Sequence, residues 1–196
     1  IIGGAPIGME MAQAHRRLGS AVTVIEGAKA LGARVIGSAS TADKRALATR
    51  GGADAVIDAA SPSWRDDLKA ANAGKPVDVI VDPVGGEATE PAFRSLAWNG
   101  RHLVIGFAGG SIPRLPVNLA LLKGASLIGV DVRQFGDYEH ALAEANVQAL
   151  LALFAQGKLY PPIARTYPID DFVAAMEEAQ RGVTAGRIVI TMAAPQ

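Results

Sequence analysis

The pattern with the clearest chemical meaning opens the chain. Gly3-x-Ala5-x-x-Gly8 stands between the run Ile1-Ile2 and an amphipathic stretch. It is a dinucleotide-binding fingerprint whose middle glycine is replaced by alanine. In that pattern the first glycine permits a tight turn. The middle one lets backbone approach a pyrophosphate, and the third lets helix and strand pack closely. The helix that follows would offer free N–H groups and a partial positive charge to the anion. Glu26 closes the next strand-like run, where a carboxylate would accept from a ribose hydroxyl. The same residues also suit a tight turn that binds nothing. Two further glycine loops, Asp82-Pro83-Val84-Gly85-Gly86 and Gly106-Phe107-Ala108-Gly109-Gly110, each end an apolar run. Ligands of open α/β sheets collect at the C-terminal ends of strands, although glycine there also serves as loop punctuation.

Other chemistries find no support. There are no cysteines, which removes disulfides, thiolate metal sites and thiol nucleophiles. His15, His102 and His140 have no metal-ligand spacing, so no metal site is expected, and no Gly-x-Ser-x-Gly elbow occurs. Asp66-Asp67, Asp170-Asp171 and Glu177-Glu178 read as helix-face or cap carboxylates, and no residue stands out as a catalytic acid or base. Lysine plus arginine total 19, aspartate plus glutamate 19, and no basic block occurs, so no nucleic-acid partner is expected. No apolar run approaches the ~18 residues of a membrane span. The chain begins at Ile1 with no basic leader, which leaves a cytoplasmic location as the expectation.

The elements that would position these loops follow a regular order. Short β-branched runs occur at Ala21–Ile25, Arg34–Ile36, Ala55–Ile57, Val77–Val81, Leu103–Ile105, Leu127–Val130 and Ile188–Ile190. They are nearly continuous in apolar character, as strands covered on both faces are. Helical patterns fill the gaps at 41–50 behind a Ser40 or Thr41 cap, and at 63–73, 87–98, 138–157 and 170–181. The aromatic residues Trp64, Trp98, Phe154 and Tyr160 read as packing groups. Alternation of this kind predicts an α/β fold, a doubly wound parallel sheet of six or so strands in the order 3-2-1-4-5-6 or a near variant. The first strand is expected at its centre, with Val77–Val81 and Leu103–Ile105 as adjacent parallel strands.

Two resemblances refine this picture. "IIGGAPIGMEMAQAHRRLGSAVTVIE" resembles the NAD-binding segment of the flavin-dependent disulfide reductases. Their chemistry needs a cysteine pair, which this chain lacks. From Ala28 onward, "AKALGARVIGSAST", "GGADAVID" and "VDVIVDPVGG" resemble the cofactor domain of the medium-chain dehydrogenase/reductases. "GRHLVIGFAGGSIPRLPVNLALLKGASLIGV" and "FAQGKLYPPIARTYPIDDFVAAMEEAQRGVTAGRIVI" resemble their zinc-free NADPH:quinone oxidoreductase branch. The chain then reads as one Rossmann NAD(P)-binding domain over 1–196. It comprises a foreign-looking opening at 1–27, a cofactor domain at 28–168, and a helix and strand at 169–192. The family's catalytic domain is absent from it. An alternative registration places 19–32 at the tail of that family's first helix.

The resemblance implies roles for particular residues. Ser38, Ser40 and Lys44 would hold an adenosine 2′-phosphate, since hydroxyls and a point cation suit a phosphate dianion. The alternative is an N-cap at Ser40 and a solvated lysine. Pro83, Val84, Gly85, Gly106, Phe107 and Ala108 would lie beside the cofactor, with Arg133 and Phe135 on its nicotinamide side. The implied cofactor is NADPH in preference to NADH. The implied reaction is hydride transfer to a small molecule, a quinone or an activated alkene such as an enone. The implied assembly is a homodimer through Leu127–Val130. An inactive NAD(P)-binding or interaction domain, as a fragment or chimera, is the other reading.

Overall fold

The computed structural model describes residues 28–29, 32–159, 162–181 and 184–192. The expected strand Ala21–Ile25 and the residues Gly3, Ala5, Gly8 and Glu26 lie outside them. Ala28 and Lys29 are helical, and Gly32 closes that turn in the left-handed region at φ +80°. Its N–H donates to Lys29 O and that of Ala33 to Ala28 O, both at 2.9 Å.

Strand β1 (Ile36–Ala39), helix α1 (Ala42–Arg50), β2 (Ala55–Asp58) and α2 (Trp64–Ala71) form the first described βαβα unit. There follow β3 (Val77–Asp82), a 3-10 turn (Gly86–Ala88), α3 (Thr89–Arg94), β4 (Leu96–Val104), α4 (Asn118–Lys123) and β5 (Ser126–Gly129). The chain continues with α5 (Val132–Tyr138), α6 (His140–Ala155), β6 (Ile163–Pro168), a 3-10 turn (Ile169–Asp171), α7 (Phe172–Arg181) and β7 (Arg187–Thr191). Every described strand pairing is parallel. β1 pairs with β2, β3-β4-β5 form a three-stranded sheet, and β6 pairs with β7. Val81 lies opposite Leu103, so the expected neighbours are adjacent and parallel. Among the described residues no helix is long and apolar enough to cross a membrane.

Strands β3 and β4 of the three-stranded sheet have apolar clusters on both faces, while β5 is exposed along its length. Phe93, Leu96, Leu119 and Ala125 pack with Val77 and Ile80, while Leu103 and Ile105 pack with Val79, Val81 and Val130. Alternation along β3 thus sends successive side chains into different clusters. That is why Val79–Val81 reads as a continuous apolar run, with only Asp78 interrupting it after Val77.

Several boundaries differ from the sequence pattern. β1 begins at Ile36, the last residue of the expected run Arg34–Ile36, and continues past Gly37 to Ala39, which brings Ser38 into the strand. The helix expected over 87–98 stops at Arg94, because Leu96 joins β4 opposite Val77 and is wholly buried in the Phe93 cluster. Asn99 then takes a left-handed φ of +59°, and Gly100 passes so close to Ala97 that a Cβ would lie 2.8 Å from its carbonyl oxygen. The helix expected over 138–157 is α6 (His140–Ala155), while Tyr138 ends α5, a helix the pattern did not reveal. β6 is a strand the pattern did not reveal. Its residues Ile163–Arg165–Thr166 are exposed, so no buried face imprints an apolar run. It supplies the partner for the expected last strand, which among the described residues pairs with β6 and not with the larger sheet.

Phe93 fills the centre of the larger cluster and is fully buried. Phe93→Ala is expected to lower the unfolding free energy by about 3–5 kcal/mol, read from urea unfolding followed by circular dichroism.

Candidate functional site

The C-terminal ends of the strands carry the residues of interest. Ser38 lies in β1, Ser40 in the bend after it, and Lys44 in the first turn of α1. Thr41, not Ser40, caps that helix, with Oγ1 accepting the Lys44 N–H at 3.3 Å. Ser40 is exposed and is therefore not committed to the cap role that sequence allowed it. Arg45 ties the ends of the first two strands together. Its Nη1 donates to Ala39 O at 2.9 Å and pairs with Asp58 Oδ2 at 3.0 Å. The Trp64 indole N–H donates to Ser38 Oγ at 2.9 Å. Trp64 is thus more than the packing aromatic expected of it.

The loop after β3 is organised by one carboxylate. Asp82 Oδ1 accepts the N–H groups of Val84 (3.0 Å) and Gly85 (2.8 Å). Its Oδ2 accepts from Thr89 Oγ1 (2.9 Å) and lies 3.0 Å from His102 Nε2. Burial opposes the charge on Asp82. The hydrogen bonds from His102, Gly85 and Thr89 outweigh it and hold the carboxyl below its ordinary range. His102 is wholly buried and stacks on Phe93, and its Nδ1 has no partner. A proton on Nε2 serves the carboxylate in this contact.

The loops after β3 and β4 interlock. Ile105 N–H donates to Asp82 O (2.9 Å), Ala108 N–H to Pro83 O (3.0 Å) and Gly109 N–H to Val84 O (2.8 Å). Gly85 has φ +69°, and a Cβ there would meet Phe107 Cδ1 at 2.8 Å. Glycine is required twice over, for the backbone angle and for the close approach. Pro83, Val84, Gly85, Gly106, Phe107 and Ala108 are therefore brought together. Beside them an open cleft of about 530 Å³ lies between the ends of β4 and β5, lined by Gly106, Phe107, Val130, Phe135 and Tyr138. Phe135 faces that cleft, while Arg133 contributes its backbone N–H to the Asp131 cap of α5. Sequence reading does not name Thr89, gives Trp64 as a packing aromatic and His102 as no metal ligand, and gives Asp82 only as the head of a glycine loop. An acid ending a strand directly before Pro-x-Gly-Gly was the available signal for Asp82.

Residues 19–146 match the family model described as "Zinc-binding dehydrogenase". The chain belongs to that family. Its described part has the Rossmann-like fold of the NAD(P)-binding domain of the medium-chain dehydrogenase/reductases. The match begins at residue 19, ahead of Ala28, and the described part of 19–32 is helical at Ala28–Lys29. The chain is 32% identical over 164 residues to the "Quinone oxidoreductase-like protein 2 homolog" of Nematostella vectensis, covering 83% of this chain and 45% of that protein. It is 31% identical to "Quinone oxidoreductase-like protein 2" of Rattus norvegicus, covering 82% and 46%. It thus spans under half the length of these curated relatives. A mycobacterial structure complexed with NADPH has the same fold, with a TM-score of 0.80 at 21% identity, over 94% of this chain and 62% of that one.

The family description raises zinc, and the donor set does not fit it. The chain has no cysteine, and among the described residues no three histidine, aspartate or glutamate side chains converge as ligands. His102 Nε2 and Asp82 are engaged with each other.

Because the folded Asp82 carboxyl is held low, its stabilising contribution is complete above about pH 4 and fades as pH falls through the lowered value. Asp82→Asn is expected to destabilise by about 1.5–3 kcal/mol at pH 7, the worth of hydrogen bonds to a charged group. In urea unfolding the gap between variant and parent should narrow as acid protonates the parent's carboxyl.

Proposed function

We propose that this chain is the NADPH-binding part of an oxidoreductase that transfers a hydride to a quinone or an activated alkene such as an enone. The observation that carries this reading is the interlocked pair of loops, Pro83–Gly85 with Gly106–Ala108, at strand ends of a parallel sheet beside an open cleft. The names of the relatives and the NADPH-bound neighbour support it. Ser38, Ser40 and Lys44 are assigned to the adenosine 2′-phosphate. Val84 and Phe107, both partly exposed apolar groups, are assigned to the faces of the cofactor. Gly3, Ala5 and Gly8 are assigned to its pyrophosphate.

The nicotinamide ring supplies the hydride when the cofactor is bound. The chain's own residues then bind, orient and exclude water. Phe107, Phe135 and Tyr138 give the cleft an apolar lining suited to a flat, uncharged acceptor. Tyr138 is 83% exposed, so this chain closes the cleft from one side only. Orientation at ~3–3.5 Å in a dry site is worth about 7–11 kcal/mol in such reactions. Tested by itself, the chain is expected to bind NADPH and to show little quinone reduction. Turnover in the ordinary range of about 1–10³ s⁻¹ would overturn that expectation.

The cofactor assignment has a direct test. Lys44→Ala should weaken NADPH roughly tenfold or more, the worth of a charge-assisted contact, and leave NADH nearly unchanged in a fluorescence titration. Glu26 pulls toward NAD if it faces the ribose, so equal affinities that Lys44→Ala does not alter would refute the phosphate site.

A homodimer through β5 is part of the same reading. β5 is the edge of its sheet, and Leu127 and Ile128 are exposed. An uncovered apolar edge strand invites pairing, here with the same strand of a second copy about a two-fold axis. Light scattering at high concentration should report a dimer, and Leu127→Lys should shift it to monomer.

A further inference from the structure

We propose that Trp64 is a positioning residue for cofactor choice, holding the Ser38 hydroxyl as a donor aimed at the 2′-phosphate. The inference rests on the assignment of Ser38, Ser40 and Lys44 to that phosphate.

An indole N–H only donates. Its bond to Ser38 Oγ at 2.9 Å fills one of the two lone pairs of the hydroxyl. The O–H hydrogen remains, and Ser38 is exposed on the solvent side of β1, where a ligand reaches it. A hydroxyl that already accepts one bond is polarised into a better donor. A phosphate dianion only accepts, and bonds to it are roughly twice as strong as bonds between neutral groups. A ribose 2′-hydroxyl both donates and accepts, so it gains less from a fixed donor. The Trp64–Ser38 bond therefore favours the phosphorylated cofactor.

The surroundings hold Trp64 in place for this task. It is the first residue of α2, and its backbone N–H donates to Ser61 O at 3.1 Å. Ser61 Oγ donates to Asp67 Oδ2 at 2.6 Å, and Ser63 Oγ donates to the same carboxylate at 3.2 Å, so the turn before α2 is cross-tied. Asp58 ends the neighbouring strand and would repel a phosphate. Its Oδ2 is paired with Arg45 at 3.0 Å, and its Oδ1 accepts the Ala60 N–H at 2.9 Å. Packing alone would be served by phenylalanine. The N–H is the part that packing does not require.

The test compares two cofactors in the same protein. Trp64→Phe keeps a ring and removes the donor. It should weaken NADPH roughly three- to tenfold, the effect of one hydrogen bond, and leave NADH within about twofold, so the NADPH/NADH ratio falls. Ser38→Ala leaves Trp64 in place and should lower the same ratio. The double variant should bind NADPH no worse than Ser38→Ala alone, because Trp64 acts through Ser38. Equal losses for both cofactors, additive losses in the double variant, or an unaltered ratio would each overturn the proposal. If Lys44→Ala still weakens NADPH in that case, the phosphate site stands and only the role of Trp64 falls. If NADPH does not bind the parent chain, both are refuted.

Discussion

Four hydrogen bonds converge on Asp82 and tie three different elements to the end of β3. Two of them fix the N–H groups of Val84 and Gly85, one anchors the hydroxyl of Thr89 at the start of α3, and one ties His102 of the neighbouring strand. A loop, a helix and a strand are thereby locked to the end of β3. The loop has a left-handed glycine that no apolar contact would enforce, and the carboxylate supplies the compensating bonds. Once Pro83–Gly85 is fixed, the carbonyls of Pro83 and Val84 face Ala108 and Gly109, and the second glycine loop is set by the first. The cleft beside Phe107 inherits its shape from this chain of constraints.

The same hub explains a polar trio in an apolar region. His102 is wholly buried, stacks on Phe93 and faces the carboxylate through Nε2. A buried carboxylate without partners would be costly. Here two backbone donors, a hydroxyl and an imidazole surround it, so the charge is retained and strengthens every bond to it. Rigidity at a strand end is what a binding loop needs, since a preorganised cradle loses less entropy when a ligand settles.

The fold was legible wherever burial on both faces left continuous apolar runs. Val77–Val81 and Ala55–Ile57 begin where β3 and β2 begin, and each strand runs one residue further. It was less legible where a strand is polar or a helix meets a strand without a break. Ile163–Pro168 carries Arg165, Thr166 and Tyr167 on a mostly exposed strand. Leu96–Trp98 looked helical because it continues the spacing of α3, and only the tertiary slot filled by Leu96 sends it into β4. Of the candidate site, the two glycine loops could be found because strand ends and glycines are visible in sequence. The Trp64–Ser38 bond could not, since it joins groups 26 positions apart through the packing of α2 against β2, the strand paired with β1.

The C-terminal unit inverts the usual arrangement of a surface helix. α7 turns Ala175 and Glu178 inward, while Phe172, Val173 and Met176 are more than half exposed. Its attachment to β6 is polar. The Glu178 carboxylate accepts from Thr184 Oγ1 at 2.6 Å, from the Tyr167 hydroxyl, and from Arg165 Nη1 at 3.0 Å. The bonds from Thr184 and Tyr167 act against burial and, with the charge of Arg165, hold Glu178 below its ordinary range. These bonds fix the orientation of the helix without burying its apolar stripe. The position of α7 therefore does not depend on that stripe being covered. Among the described residues, the loop after β3 and the orientation of α7 are held by separate polar hubs, Asp82 and Glu178.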